Sequence, residues 1–153
     1  MKYLIIEHVR SAYNVGAMFR TADGAGVQKI FLVGYTPAPI DRFGRIQTEI
    51  SKTSLGASET IAWQAVATTA EIIPELKAQG CTVVAVEQSA QSISIKDFKV
   101  PDHVAYVMGS EVVGVESATL DLVDQVVDIP MLGSKESLNV SVAAGIIMYH
   151  GLV

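Results

Sequence analysis

The chain has 153 residues, half of them apolar, with a net charge of −5 at pH 7 and a single cysteine. This length is enough to bury a core without cross-links, the apolar content argues against intrinsic disorder, and a lone cysteine excludes an internal disulfide. No segment approaches the roughly 20 consecutive apolar residues of a membrane span, and no secretory signal is visible at the N-terminus. We expect one cytoplasmic domain, residues 1–153, with Cys81 in its core.

Apolar runs alternate with helical patterns along the chain. Strands are predicted at residues 2–9, 29–34, 61–67, 81–86, 103–108 and 125–129. Helices are predicted from an Asn14 cap to residue 26, and at residues 68–79, 116–122 and 137–153. Residues 35–47, with two prolines and two arginines, are predicted to form an exposed loop. Strand and helix alternation favours an α/β fold, a parallel sheet with helices on both faces.

Charge is divided unevenly between the two ends of the chain. Residues 1–52 hold seven basic and four acidic side chains, whereas residues 53–153 hold four basic and twelve acidic ones. Any phosphate-binding surface would therefore be built from the N-terminal third. The alternative is a chance asymmetry on a solvated surface.

Three short segments place small or polar residues where a plain core element would place aliphatic ones. They are NVGAMFRTA at residues 14–22, GSEVVG at residues 109–114, and IPM at residues 129–131 followed by SLNVS at residues 137–141. Buried polar groups are costly unless partnered, so three such segments indicate one site.

Each segment also has a simpler interpretation. Asn14 and Arg20 can form an anion-binding pair at a helix start, or be an ordinary cap and a surface arginine. Glu111 follows a buried strand at the edge where open α/β sheets bind ligands, but it can be a solvated carboxylate. Ser137 or Asn139 can simply cap the last helix.

The three segments, in this order, resemble the motifs of the SpoU (TrmH) family of RNA ribose methyltransferases, within the SPOUT class. The resemblance covers essentially the whole chain. It implies an α/β domain with a deep trefoil knot in its C-terminal part, which few folds contain. It also implies a homodimer that binds S-adenosylmethionine (AdoMet).

Site residues follow from the same resemblance. The implied cofactor-binding residues are Val86, Gly109, Ile129, Met131, Ser137 and Leu138. Arg20 would be catalytic, supported by Asn14, Glu111, Ser137 and Asn139, and it would serve the partner chain's cofactor if the site crosses the dimer. Family proposals make the arginine the general base; we favour a clamp on phosphate and developing alkoxide, because guanidinium keeps its proton.

The implied substrate is a ribose 2′-hydroxyl of tRNA or of an exposed rRNA loop. No separate RNA-binding domain is evident in residues 1–153, so the catalytic dimer itself would bind the RNA. Arg10, Arg42, Arg45 and Lys52 are the candidate RNA contacts. Residues 52–57 also resemble a family segment near the substrate.

Two other functions remain open at this level. One is a dimeric module of the same fold that binds RNA or a protein without catalysis. The other, a generic nucleotide-binding enzyme, lacks a phosphate-binding loop. Methyl transfer requires no metal, and His8, His103 and His150 show no ligand spacing.

Overall fold

The computed structural model describes residues 1–153, which contain seven strands and six helices. The strands are β1 (Lys2–Glu7), β2 (Lys29–Val33), β3 (Ala62–Val66), β4 (Thr82–Val86), β5 (Ile93–Ser94), β6 (Val104–Met108) and β7 (Gln125–Asp128). The helices are α1 (Ala12–Gly24), α2 (Thr48–Ser54), α3 (Ala57–Thr60), α4 (Ile73–Ala78), α5 (Ser117–Leu120) and α6 (Val140–Tyr149), and a 3₁₀ turn covers Thr69–Glu71.

All strands pair in parallel in one sheet, in the order β3-β2-β1-β6-β4-β7-β5. The predicted parallel α/β architecture is therefore confirmed. Because the strands are parallel, their carboxyl ends share one edge of the sheet. The order places β6 between β1 and β4, so the segments that follow β4, β6 and β7 are neighbours at that edge.

Alternate residues of the strands face two separate cores. On one face, Leu4, Ile30 and Tyr106 pack with α1, α2 and α6. On the other face, Ile5 and Val107 pack with α4 and with residues beside α5. Successive side chains of a strand point to opposite faces of the sheet, so the apolar residues of the central strands are buried on both faces. The result is a three-layer structure with helices on each side of the sheet. Cys81 is buried in the second core, as predicted, and this burial raises the pKa of its thiol.

Each of the six predicted strands is present, with its ends shifted by up to two residues. The predicted cap of α1 was wrong. Ser11 caps this helix by accepting a hydrogen bond from the Asn14 backbone at 3.1 Å, so Asn14 lies inside the first turn and its side chain is buried. Both residue types favour cap positions, and the chain uses the earlier one.

Other helices also differ from the prediction. Helix α6 was predicted over residues 137–153, but it begins at Val140 and ends at Tyr149. The chain then turns through Gly151, which has a φ of 83°. The helix predicted over residues 68–79 is divided into the 3₁₀ turn and α4, with Pro74 in the first turn of α4. Helices α2 and α3 and the short edge strand β5 were not predicted.

Lys2 ties the ends of two helices to the first strand. Its ammonium group donates to the carbonyl oxygens of Ala25, at 3.3 Å, and Met148, at 2.7 Å. These carbonyls belong to the C-terminal ends of α1 and α6, where a positive charge is favourable. Partial burial lowers the pKa of Lys2. One cation therefore helps to hold α1 and α6 side by side on the same face of the sheet.

Helix α2 depends on a single fully buried aliphatic side chain. We expect Ile50→Ala to lower the free energy of unfolding by about 2–5 kcal/mol, because Ile50 is 0% exposed in the first core. The matched change Ile46→Ala, at a side chain that is 67% exposed, should cost no more than about 0.5 kcal/mol. Urea unfolding of the two variants would check this, and equal losses would contradict the placement of α2.

Candidate active site

A cavity of about 300 Å³ opens at the carboxyl ends of β4, β6 and β7. Its walls come from the residues that follow these three strands and from the segment leading into α6. The lining includes all six residues implied as cofactor-binding: Val86, Gly109, Ile129, Met131, Ser137 and Leu138. The structure therefore brings the second and third sequence segments together at one place, although they are separated in the chain by a helix and a strand.

The loop after β6 closes on itself beside this cavity. The backbones of Ser110 and Gly114 exchange two hydrogen bonds, of 3.1 and 2.9 Å, and the Ser110 hydroxyl accepts from the backbones of Val112 and Val113. A Cβ atom at Gly109 would overlap the backbone of Gly114 and Val115. Glycine is thus required at position 109 for packing within the loop, and Glu111 at the loop tip is left exposed on the cavity.

Two polar residues on the cavity wall were missed by the sequence analysis. Glu87 directly follows β4, and its carboxylate accepts hydrogen bonds from the backbones of Val115, at 2.9 Å, and Gln88, at 3.0 Å. The Gln88 amide donates to the carbonyl oxygen of Glu136 at 2.9 Å. Both residues therefore connect the end of β4 to the other cavity-lining loops. The one feature of the sequence that could have identified them is their position immediately after a buried strand.

The segment before α6 supplies the remaining wall. Asn139 caps α6, because its side-chain oxygen accepts from the Ser141 backbone at 2.9 Å and from the Ser141 hydroxyl at 2.6 Å. The prediction that Ser137 or Asn139 opens this helix is confirmed for Asn139. Ser137 and Leu138 line the cavity, whereas Asn139 does not.

A buried network fixes the end of β1 next to the loop after β6. Glu7 is 1% exposed and accepts hydrogen bonds from the Glu116 backbone, at 2.9 Å, and from the Thr119 hydroxyl. The next residue, His8, adopts a φ of 53° and places its Nε2 atom 3.1 Å from the Glu116 carboxylate. Its ring occupies the space that a Cβ atom at Gly34 would need. These contacts give His8 a positioning role at this edge of the sheet.

Arg20 lines a different depression, a groove between α1, α2 and the end of α6. The groove is formed by Tyr13, Ala17, Arg20, Thr21, Gly24, Lys52, Thr53, Leu55 and Tyr149. Arg20 is exposed, and neither it nor Lys52 forms a hydrogen bond or ion pair through its side chain. The groove therefore presents two unpaired positive charges, which suits an anionic ligand.

Close packing of α2 against α1 creates this groove. A Cβ atom at Gly16 would overlap the Thr53 hydroxyl and lie 3.0 Å from the Ile50 carbonyl oxygen. The glycine of the first segment thus permits α2 to approach, and α2 then brings Lys52 beside Arg20. Asn14 is buried in α1, six residues before Arg20, and does not line the groove.

The cavity and the groove share no lining residue. Within one chain, Arg20 therefore lines a different depression from Glu111 and Ser137. Asn14 and Asn139, the other two residues of the implied catalytic set, line neither.

The remaining candidate RNA contacts lie on the loops after β1 and β2. The Arg10 guanidinium carbon is 5.2 Å from the centre of the Tyr35 ring. Arg42 and Arg45 both approach the ring of Phe43, and Arg45 also pairs with Asp41 at 2.9 Å. Three of the four candidate residues thus lie within or beside residues 35–47, and Lys52 lies in the helix that follows.

The structure contains neither a metal-binding cluster nor a membrane-spanning helix. No three His, Cys, Asp or Glu side chains are grouped so that they could hold a metal ion. None of the helices has the length and apolar character needed to cross a membrane.

The loop after β6 makes a direct prediction. Gly109→Ala should lower the free energy of unfolding by about 1–3 kcal/mol, because the added methyl group meets backbone atoms that cannot rotate away. Gly133→Ala is the matched control: nothing lies within 4 Å of a Cβ atom there, so stability should stay unchanged or rise slightly. Thermal unfolding would measure both, and an unaffected Gly109→Ala protein would contradict the loop geometry.

The chain resembles known methyltransferases in sequence. The SpoU rRNA Methylase family profile matches residues 1–149. The 23S rRNA (guanosine-2′-O-)-methyltransferase RlmB of Neisseria meningitidis is 35% identical over 145 residues, which cover 95% of this chain and 55% of that protein. RlmB of Ralstonia nicotianae is 37% identical over 150 residues, covering 97% and 57%. The chain thus spans little more than half the length of these relatives.

Solved structures show the same likeness. The AdoMet-bound rRNA methyltransferase from Sinorhizobium meliloti superposes with a TM-score of 0.87 at 29% identity, over 97% of this chain and 54% of that one. The fold, the three sequence segments and the profile match over nearly the whole chain agree. The chain belongs to the SpoU rRNA methylase family.

Proposed function

We propose that this chain is an AdoMet-dependent methyltransferase that methylates a ribose 2′-hydroxyl of RNA. One observation carries the proposal: the residues implied as cofactor-binding, which come from three separate parts of the chain, line a single cavity at the carboxyl ends of β4, β6 and β7. Open α/β sheets bind ligands at this edge. The relatives named for rRNA 2′-O-methylation and the AdoMet-bound neighbour support the same activity.

The cavity has the size and chemistry for a cofactor with an apolar and a polar part. Its volume is at the lower end of the range of small-molecule sites. Val86, Ile129, Met131 and Leu138 supply apolar contacts, and the backbones of the same loops supply hydrogen bonds. Bound there, AdoMet would provide an electrophilic methyl group on sulfur.

Arg20 would act on the substrate rather than on the cofactor. Its unpaired guanidinium, with Lys52 in the same groove, can hold the phosphate next to the target ribose. The same charge would stabilise the negative charge that develops on the 2′-oxygen. A guanidinium keeps its proton in proteins, so we assign Arg20 as an electrostatic clamp rather than as the general base.

The separation of groove and cavity supports a homodimer whose sites are shared between chains. The groove ends at Tyr149 of α6, and α6 exposes Val142 and Ile146. Exposed aliphatic side chains on a C-terminal helix favour a partner surface. In such a dimer, Arg20 of one chain would face the cavity of the other, with Glu111, Ser137 and Asn139.

The C-terminal segment supports the proposed trefoil knot. After β7 the chain is held at Glu136 by Gln88 and, beyond α6, at His150, whose Nε2 donates to the Phe98 carbonyl oxygen at 2.9 Å. The segment between β4 and β6 thus contacts both ends of the segment that would be threaded. An experimentally phased structure with an unknotted trace would contradict this.

Ribosomal RNA is the favoured substrate, because the RlmB relatives are named for 23S rRNA, and tRNA is the second. A cytoplasmic location follows from either. Residues 1–153 would form one methyltransferase domain.

The activity proposal predicts a selective effect of Arg20→Ala. Methyl transfer should fall by at least about 100-fold, because one charged contact to the developing oxyanion is lost. AdoMet affinity and unfolding temperature should not change, because Arg20 is exposed outside the cavity. Radiolabelled-methyl AdoMet, with unmodified rRNA and unmodified tRNA in separate reactions, would measure transfer.

Lys96→Ala, which removes one exposed positive charge elsewhere, is the control. Equal transfer by wild type and Arg20→Ala would contradict the assignment of Arg20. A wild-type protein that neither binds AdoMet nor labels RNA would contradict the enzyme proposal and favour the non-catalytic module.

The shared site predicts complementation between two inactive proteins. Arg20→Ala retains an intact cavity, and Leu138→Asp, which places a charge on the apolar wall, retains an intact groove. Unfolded and refolded together in equal amounts, they should recover about a quarter of wild-type transfer, because half of the dimers would carry one complete site of two. No recovery, with mixed dimers shown by mass spectrometry, would contradict a site shared between chains.

A further inference from the structure

The loop between β2 and α2 is a built turn with fixed ends. At its start, the Thr36 hydroxyl is buried, donates to the Ile6 and Val33 carbonyl oxygens and accepts from the Val9 backbone. At its end, the Gln47 backbone donates to the Pro39 carbonyl oxygen at 2.9 Å. Between them, Ile40 and Ile46 form an antiparallel bridge. The tip of the loop therefore projects from a closed base.

Asp41 organises this tip. One of its carboxylate oxygens accepts from the backbones of Phe43, at 2.8 Å, and Arg45, at 3.0 Å, and the other accepts from the Arg45 guanidinium at 2.9 Å. The Arg45 backbone N–H and these other donors lower the pKa of Asp41. The charged form that holds the turn is therefore present at neutral pH. We name residues Asp41–Arg45 the Asp41 turn.

The Asp41 turn displays an exposed aromatic ring that two guanidinium groups approach. Phe43 is 67% exposed, and the guanidinium carbons of Arg42 and Arg45 lie 4.9 and 5.0 Å from its ring centre. Burying an aromatic ring is favourable, so an ordered turn that keeps the ring exposed to solvent is unusual. The surrounding arginines indicate that its partner carries negative charge.

The turn leads directly to the groove that contains Arg20. Gln47 ends the loop and caps α2, and Lys52 lies five residues further along this helix, a distance of about 8 Å. Helix α2 thus joins the Asp41 turn to the groove that contains Lys52 and, on α1, Arg20. A single bound RNA segment can contact both.

We propose that Phe43 stacks on an unpaired base of the substrate RNA, while the guanidinium groups of Arg42 and Arg45 turn from the ring to the phosphates beside that base. The inference rests on the proposed function, since it concerns the same RNA. An aromatic face bordered by guanidinium groups matches both parts of a nucleotide: the ring stacks on any base, and the cations bind the backbone. A base paired within a helix is already stacked and does not expose its face. The enzyme therefore selects a single-stranded loop or bulge near its target ribose.

Three variants test the stacking contact. Phe43→Leu keeps an apolar side chain but removes the π face, and it should raise the RNA concentration for half-maximal transfer by at least about fivefold. Phe43→Trp should restore wild-type behaviour. Arg42→Ala should weaken binding and reduce the slope of log affinity against log salt by about one. None should change AdoMet affinity, kcat or the unfolding temperature, because the tip is exposed and outside the cavity.

The probe for binding is a labelled single-stranded oligoadenylate of about 12 nucleotides, compared with an RNA duplex of the same length. The wild type should bind the single strand more tightly, and Phe43→Leu should remove most of the difference. Lys96→Ala and Ile93→Ala, which remove an exposed charge and an exposed aliphatic side chain away from the turn, should behave as the wild type.

Each contrary result has a distinct meaning. If Phe43→Leu binds and methylates RNA as the wild type does, stacking is overturned and the proposed function stands. If Phe43→Leu instead changes the oligomeric state in light scattering, the ring contacts protein, and the inference is again overturned. If the wild type binds neither AdoMet nor RNA, the proposed function fails together with the inference.

Discussion

The parallel pairing of β6 between β1 and β4 is the constraint on which the candidate site depends. It aligns the carboxyl ends of β6, β4 and β7, so that Gly109, Glu87 and Ile129 follow neighbouring strands at one edge. No contact within a single loop would produce this arrangement. The strands can occupy the middle of the sheet because their apolar residues are covered on both faces.

Close backbone contacts explain why the sequence segments contain glycine. At Gly16, a missing side chain lets α2 approach α1 and form the groove wall. At Gly109, it lets the loop after β6 fold against its own backbone. Neither glycine needs a positive φ, so the constraint is space rather than backbone conformation. Gly16 and Gly109, which belong to the segments that resemble the family motifs, thus shape the groove and the cavity on which the proposed reaction depends.

The strands could be predicted because four of the six predicted ones are short runs of mostly buried, apolar residues, and their parallel arrangement followed from alternation with helices. Helix α2 could not be predicted, because four of its seven residues are weak helix formers: Thr48, Ser51, Thr53 and Ser54. Its only side chain in the hydrophobic core is that of Ile50. The cap of α1 was misplaced because Ser11 and Asn14 are equally suitable by type. The cavity residues were anticipated through the resemblance, whereas Glu87 was missed because no motif contains it. Whether these residues have their implied roles remains a prediction.

The unpredicted helix α2 also connects the loop of the proposed RNA contact, Phe43, to the groove of the proposed catalytic residue, Arg20. Its first turn is fixed by Gln47 at the end of the loop that carries Phe43, and its last turn carries Lys52 beside Arg20. It is held against α1 by the space at Gly16 and is connected to α3 by the buried hydrogen bond of 3.0 Å between Ser54 and Ser58. A short helix without strong intrinsic propensity thus has a fixed position only through its packing. Because this position sets the distance between the Asp41 turn and Arg20, packing of α2 would determine, in the proposed complex, which nucleotide reaches the groove when a neighbouring base is stacked on Phe43.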